Sequence, residues 1–240
     1  MPNTALLRRL AIFADLRSEE IALLNEATSD IRTTAAKSNI ISEGDRPDHL
    51  HMIVQGWAAR YQVLANGVRQ ITAFLLPGDF CDLHGKILRE MDHSIVALTP
   101  CKVAWIASDR FDRLTIEHAD LTRALWWGIL LDEAILRNWL VNNSRRDAHQ
   151  RIAHLLCELH ARVHMIGLVE NGRLDVPLTQ NDLADATGLT SVHVNRTIQR
   201  LRRADLITLS GKVLTIKNIA ELKRVAGFDG NYLHIKRRVH

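Results

Sequence analysis

The residues of this chain best suited to engage another molecule lie on one face of a single predicted helix. Between Ser191 and Arg203, Val192, Asn195, Arg196, Gln199 and Arg203 recur at helical spacing, opposite an apolar stripe of Val194, Ile198 and Leu201. Arginine, asparagine and glutamine carry donors and acceptors that match base edges, and an α-helix fits the major groove of DNA. Taken alone, such a face reads equally well as the solvated side of an amphipathic helix. The neighbouring residues favour DNA. Thr179 and Asp182, three positions apart, can close a capping box at the start of a preceding short helix. Leu183, Ala184 and Thr187 continue that helix to Gly188, which can take the left-handed conformation that ends a helix sharply. Thr190 then caps the second helix. Behind it, Leu206 to Leu209 and Val213 to Ile216 read as two short strands around a Ser210-Gly211-Lys212 turn. The expectation is a helix-turn-helix followed by the hairpin of a winged helix.

Charge supports a polyanionic partner. Residues 145–240 carry 16 Lys/Arg against 9 Asp/Glu, whereas residues 1–144 carry 15 against 18. At 240 residues and 47% apolar, the chain is long enough for two domains with real cores. Three widely spaced cysteines, Cys81, Cys101 and Cys157, form no disulfide framework, so a reducing, cytoplasmic setting is expected. The start lacks a signal-peptide pattern, and the longest apolar run, Ala124 to Leu131, is too short to span a bilayer. No P-loop, nucleophile elbow, zinc-protease motif or defensible carboxylate pair is present, so no enzyme is expected. His160 and His164 sit i, i+4 on one helix face, but no third metal ligand accompanies them, so no metal site is predicted.

The N-terminal part has a strand-like texture. From about Ile40 to Ile106, Gly44, Gly56, Gly67 and Gly78 separate β-rich pieces, which predicts a small antiparallel barrel or roll. Ahead of it, Leu6 to Phe13 and Glu19 to Thr28 are helical in pattern, with Ser18 as N-cap of the second. After it, Asp109 to Asn143 reads as a long helix with Leu121, Leu125, Ile129, Ile135 and Trp139 as apolar positions, and Trp126, Trp127 and Trp139 all need cover. A second copy of the helix is the favoured cover, because two-fold proteins read two half-sites about one helical turn apart.

The order of parts resembles the Crp/Fnr family of bacterial transcription regulators across nearly the whole chain. The resemblance is carried by EGDRPDHLHMIVQGWAARY at 43–61, LLPGDF at 75–80, Phe111, RRDAHQRIAHLLCEL at 145–159 and LTQNDLADATGLTSVHVNRTIQRLRRADLI at 178–207. It implies an α+β architecture: a jelly-roll-like sensor of the cyclic-nucleotide-binding type over 1–117, a dimerisation helix over 118–146, and a winged helix-turn-helix over 147–240. It also implies a homodimer that binds double-stranded DNA, answers to a small-molecule effector and works with RNA polymerase.

The departures from that pattern bear on the effector. Where cyclic-AMP-binding members place a glutamate for the ribose and an arginine-serine pair for the phosphate, this chain matches near Leu83 and Met91-Asp92-His93. Asp92 would repel a phosphate by roughly 1 kcal/mol at surface-like dielectric. The matching long-helix positions are Asp132, Leu136 and Arg137. Cyclic AMP is therefore not the expected effector, and with no cysteine before Cys81 neither is an iron-sulfur cluster. Pro2, Cys81 and His84 keep a haem-based sensor as the alternative, with a spacing that differs by one residue from carbon-monoxide-sensing relatives. A ligand-free interaction protein is the other. Cys81, Asp82, Leu83, His84, Asp92, His93, Asp132 and Leu136 are the candidate effector-pocket residues. On the DNA side, Arg196 matches the family's guanine-reading arginine, while Val192 stands where a glutamate is common and Ser191 where another arginine often is. Thr179, Gln180, Thr190, His193, Arg202 and Lys212 are the expected phosphate contacts.

Overall fold

The computed structural model describes residues 4–83 and 90–235. Pro2, His84 and the Lys236-Arg237-Arg238 tail lie outside the described residues. The chain divides into two compact units, one of residues 4–62 and Ala73–Glu133, the other of Val63–Thr72 and Ala134–Ile235.

Among the described residues of the first part of the chain, helices α1 (Thr4–Leu10) and α2 (Ser18–Ala27) precede strands β1 (Ile31–Thr34), β2 (Asn39–Ile41), β3 (His49–Gln55), β4 (Ala58–Val63), β5 (Arg69–Leu75), β6 (Ser94–Ala97) and β7 (Cys101–Ala107). They form two sheets, ordered β1-β7-β3 and β2-β6-β4-β5. The β1–β7, β3–β7, β2–β6 and β4–β6 ladders are antiparallel, with Met52 opposite Ala104 and Ile53 opposite Val103. This is the expected roll, begun earlier than Ile40 because β1 completes a sheet edge on β7. Ile41, Ile53, Ala58, Leu75, Cys81 and Ile95 fill one cluster, and Leu6, Leu10, Leu24, Leu50, Met52 and Leu121 fill another under the helices. The turn after β5 comes so close to α1 that a Cβ on Gly78, whose φ is 89°, would lie 2.8 Å from the Leu6 amide. Beside that turn the buried Arg9 pairs with Asp79 and, at 3.3 Å, with Asp132.

Ser18 is the first helical residue of α2, not its cap. The Glu20 carboxylate accepts from the Arg17 amide at 2.8 Å, which moves the helix boundary back by one. The predicted long helix is also two helices, α3 (Ser108–Glu117) and α4 (Ala119–Arg145), separated by an extended His118 at φ −127°, ψ 90°. The Thr122 hydroxyl donates to the carbonyls of Thr115 and His118, satisfying the groups that the break leaves open. The division between the two units falls inside α4, between Glu133 and Ala134, rather than at either of its ends. Leu121, Ala124, Leu131, Ile135, Trp127 and Trp139 are buried, with Phe13 stacked on Trp127 at 5.6 Å. Trp126 is 64% exposed and Leu140 71%, and Ile129, Leu130, Leu136 and Val141 are exposed with them. No helix of the described residues is long and apolar enough to cross a membrane.

The second unit holds α5 (Ala148–Met165), β8 (Arg173–Asp175), α6 (Gln180–Thr187), α7 (Ser191–Arg203), β9 (Ile207–Ser210), β10 (Val213–Ile216), α8 (Ile219–Ala226) and a 3-10 turn at Gly230–Leu233. Sheet order is β8-β10-β9, so the predicted hairpin gains a third strand. Asp147 caps α5, accepting from the Gln150 amide at 2.8 Å, and Ile152, Leu155, Leu156, Leu159 and Val163 bury its inner face. In that interior, Glu158 accepts from Trp139 Nε1 at 3.0 Å and from the Tyr232 hydroxyl at 2.7 Å, with Arg162 Nη1 at 3.6 Å. Burial holds the Glu158 carboxyl above the usual carboxylate range. Cys81, Cys101 and Cys157 are all buried free thiols, and burial raises the pKa of each, Cys157 to about 12.

His154 lies against Phe228 and Tyr232, with ring centroids 5.0 and 6.1 Å away, and burial pulls its pKa down to about 4. Because the folded value is depressed below the unfolded 6.5, the stability it lends is present above pH 6.5 and lost as pH falls toward 4. Replacing His154 by Leu should flatten the dependence of the urea midpoint on pH in that window, by on the order of 3 kcal/mol at pH 4 relative to neutral pH.

Candidate nucleic-acid interface

The start of α6 is built as its spacing requires. Thr179 Oγ1 accepts from the Asp182 amide at 3.1 Å and donates to Asp182 Oδ2 at 2.6 Å, while the Thr179 amide donates to the same oxygen at 2.9 Å. Both polar groups of Thr179 are thus engaged within the cap, and Gln180 is the open side chain at this helix start. Gly188, at φ 64° and ψ 28°, ends α6 in the left-handed region. Thr190 then accepts from the His193 amide at 3.3 Å to cap α7. On α7, Val194, Thr197, Ile198 and Leu201 are buried, and the helix packs on α5 and α6.

That packing turns the other side outward. Gln180, Ser191, Val192, Asn195, Arg196, Gln199 and Arg203 line an open groove of about 520 Å³. Among the described residues, no hydrogen bond or ion pair engages the polar side chains of this groove. Arginines elsewhere contrast with it: Arg32, Arg46, Arg113, Arg123 and Arg224 each sit on a carboxylate. Val192 is the apolar member, 65% exposed among polar neighbours. His193 and Arg202 are exposed on α7 outside the groove lining, and Lys212 is exposed in the turn between β9 and β10. Arg203 joins the lining, as its place on the face opposite the apolar stripe implies.

The effector set is dispersed. Cys81 is buried in the apolar cluster of the roll, and His84, its expected companion in a haem site, lies outside the described residues. Asp82 is fully buried, its two oxygens taken by the His51 amide and by His51 Nδ1, each at 2.7 Å. Leu83 and Asp132 do meet, in a cavity of about 20 Å³ shared with Arg9 and Gly128, which has room for one water molecule. Asp92 is exposed with His93 Nδ1 at 2.6 Å, and Leu136 is exposed on α4. A carboxylate at Asp92 does not fit the phosphate of a cyclic nucleotide. His160 and His164 stack with centroids 6.2 Å apart, and among the described residues no group of three His, Cys, Asp or Glu side chains is placed to hold a metal.

A β-roll, a long helix with an open apolar side and a winged helix with an unengaged polar face define a DNA-binding regulator of the sensor type. Residues 31–118 match the family model described as a cyclic nucleotide-binding domain, and residues 150–225 match that of a Crp-like helix-turn-helix domain. The chain is 30% identical over 229 residues to the transcriptional activator protein FnrL of Cereibacter sphaeroides, covering 94% of this chain and 91% of that protein. It is 25% identical over 218 residues to the transcriptional activator protein Anr of Pseudomonas protegens, covering 91% and 89%. The fold matches the structure of FixK2 from Bradyrhizobium japonicum with a TM-score of 0.74 at 22% identity, over 81% of this chain and 96% of that one. The chain belongs to the Crp/Fnr family of transcription regulators.

The cap at Thr190 has a measurable share in this site. Thr190→Ala removes the acceptor for the His193 amide and should lower stability by about 1 kcal/mol, read as a shift of the urea midpoint.

Proposed function

We propose that this regulator acts as a homodimer whose paired α7 helices read a two-fold symmetric operator, and that its roll answers to a ligand other than cyclic AMP. The observation that carries the proposal is the unengaged polar face of α7. These side chains are exposed or half-buried, held by water rather than by the fold, and their donors and acceptors match those of base edges that can replace that water. Arg196 donates to a guanine, Asn195 and Gln199 present the donor-acceptor pair that suits adenine, and Val192 meets a thymine methyl. Gln180, Thr190, Ser191, His193, Arg202 and Lys212 face the phosphates, with Thr179 holding the start of α6.

The exposed apolar side of α4 supports the dimer. Trp126, Ile129, Leu136 and Leu140 follow one another at intervals of three, seven and four residues, a seam that a second copy of the helix can cover. Relatives named as transcriptional activators support the reading of a regulator that works beside RNA polymerase on cytoplasmic DNA.

Selection from random DNA, with and without cell extract, should return a two-fold motif and show whether a small ligand strengthens it. A motif without that symmetry would count against the dimer. Arg196→Ala should cost about 1–3 kcal/mol on the selected site and much less on unrelated DNA, whereas equal losses would make Arg196 a phosphate anchor. Leu140→Lys should give a monomer by sedimentation and abolish operator binding.

A further inference from the structure

Arg69 bridges two carboxylates that lie more than a hundred residues away in the sequence. Arg32, Arg113, Arg123 and Arg224 pair with a carboxylate within four residues, and their side chains are half or more exposed. The Arg69 side chain is 31% exposed and reaches across the sequence to two carboxylates. Its Nη2 donates to Asp182 Oδ1 at 2.9 Å and its Nε to Asp185 Oδ2 at 2.7 Å. Arg69 belongs to the Val63–Thr72 segment that is compact with Ala134–Ile235, so this contact is internal to one unit.

The two oxygens of Asp182 divide their work. Oδ2 closes the cap with the amide and hydroxyl of Thr179, and Oδ1 accepts from Arg69. The guanidinium therefore fixes the rotamer of the carboxylate that starts α6 and spans to Asp185 one turn later. An eight-residue helix has little stability of its own and takes its position from such outside contacts. The first residue of α6 is Gln180, whose side chain lines the groove beside Ser191 and Arg196.

We infer that Arg69 is a positioning residue for DNA binding, clamping Asp182 and Asp185 so that α6 presents Gln180 in register with the face of α7. The inference rests on the groove being the DNA-binding surface. Arg69 acts through α6 and does not itself reach the nucleic acid.

The test is operator binding by the full chain, measured with the selected site and with unrelated DNA. Variants Arg69→Ala, Asp185→Asn and the double variant are compared with Arg69→Lys. Arg69→Ala and Asp185→Asn should each weaken binding about fivefold, the double variant should be no weaker than either, and Arg69→Lys should recover part of the loss. The sign for Asp185→Asn is decisive. Removing a negative charge near a polyanion tightens binding if charge alone matters, and weakens it only if the clamp positions the helix. Tighter binding by Asp185→Asn, additive effects, or wild-type affinity in Arg69→Ala would overturn the inference. Tighter binding by Arg69→Ala would overturn it too, because the contact would then be a restraint. If Arg69→Ala does not fold, Asp185→Asn alone decides, since it keeps the Asp182 contact. Failure of the wild type to bind any DNA would instead remove the underlying assignment of the groove.

Discussion

Burial of one stripe of α7 is the interaction on which the interface depends. Val194, Ile198 and Leu201 are spaced so that all three insert toward α5 and α6. Each contributes about 1.5–3 kcal/mol when fully buried, well above the roughly 1 kcal/mol of the Thr190 cap. With successive residues about 100° apart on a helix, orienting this stripe orients every other side chain on it. Asn195, Arg196 and Gln199 are turned outward because their neighbours are held in. The left-handed turn at Gly188 lets α7 leave α6 at the angle that makes this packing available.

The parts of the chain legible in its sequence are those whose signals are local. The Thr179–Asp182 box, Gly188, Thr190 and the i, i+4, i+7 stripe each concern residues within seven positions of one another, and all four are found as the pattern implies. The wing follows from two strands around Gly211, but its third strand, β8, does not, because three residues before Pro177 carry no period to detect. The break at His118 is hidden for a related reason. Ala119 to Arg145 and Ser108 to Glu117 both have helical composition, and the extended residue between them is a tertiary outcome satisfied by Thr122. Effector residues were the least legible. Cys81 and Asp82 sit beside the matched turn, and their sequence positions do not say that one fills the core and the other is used up by His51.

Helix α4 carries apolar side chains nearly all round, and its two sides have different fates. One side is covered within the chain by residues such as Phe13 and by the Trp139–Glu158 contact. The other, from Trp126 to Val141, is left to solvent. Exposed apolar surface of this extent on a regular helix is a standing cost in water unless something covers it. The same helix carries Gly128 in its middle, where an added Cβ would meet nothing within 4 Å. Glycine there forgoes about 1 kcal/mol of helix stability relative to alanine, and no neighbour within the chain requires it.

All three thiols are closed off, two in the first unit and one in the second. A buried thiol with a raised pKa is inert to alkylating reagents until the structure around it opens. The chain thus carries its own reporters of opening: Cys81 and Cys101 for the roll, Cys157 for the winged-helix unit. Their rates of modification separate the breathing of the sensor from that of the reader in the unlabelled, unmutated protein.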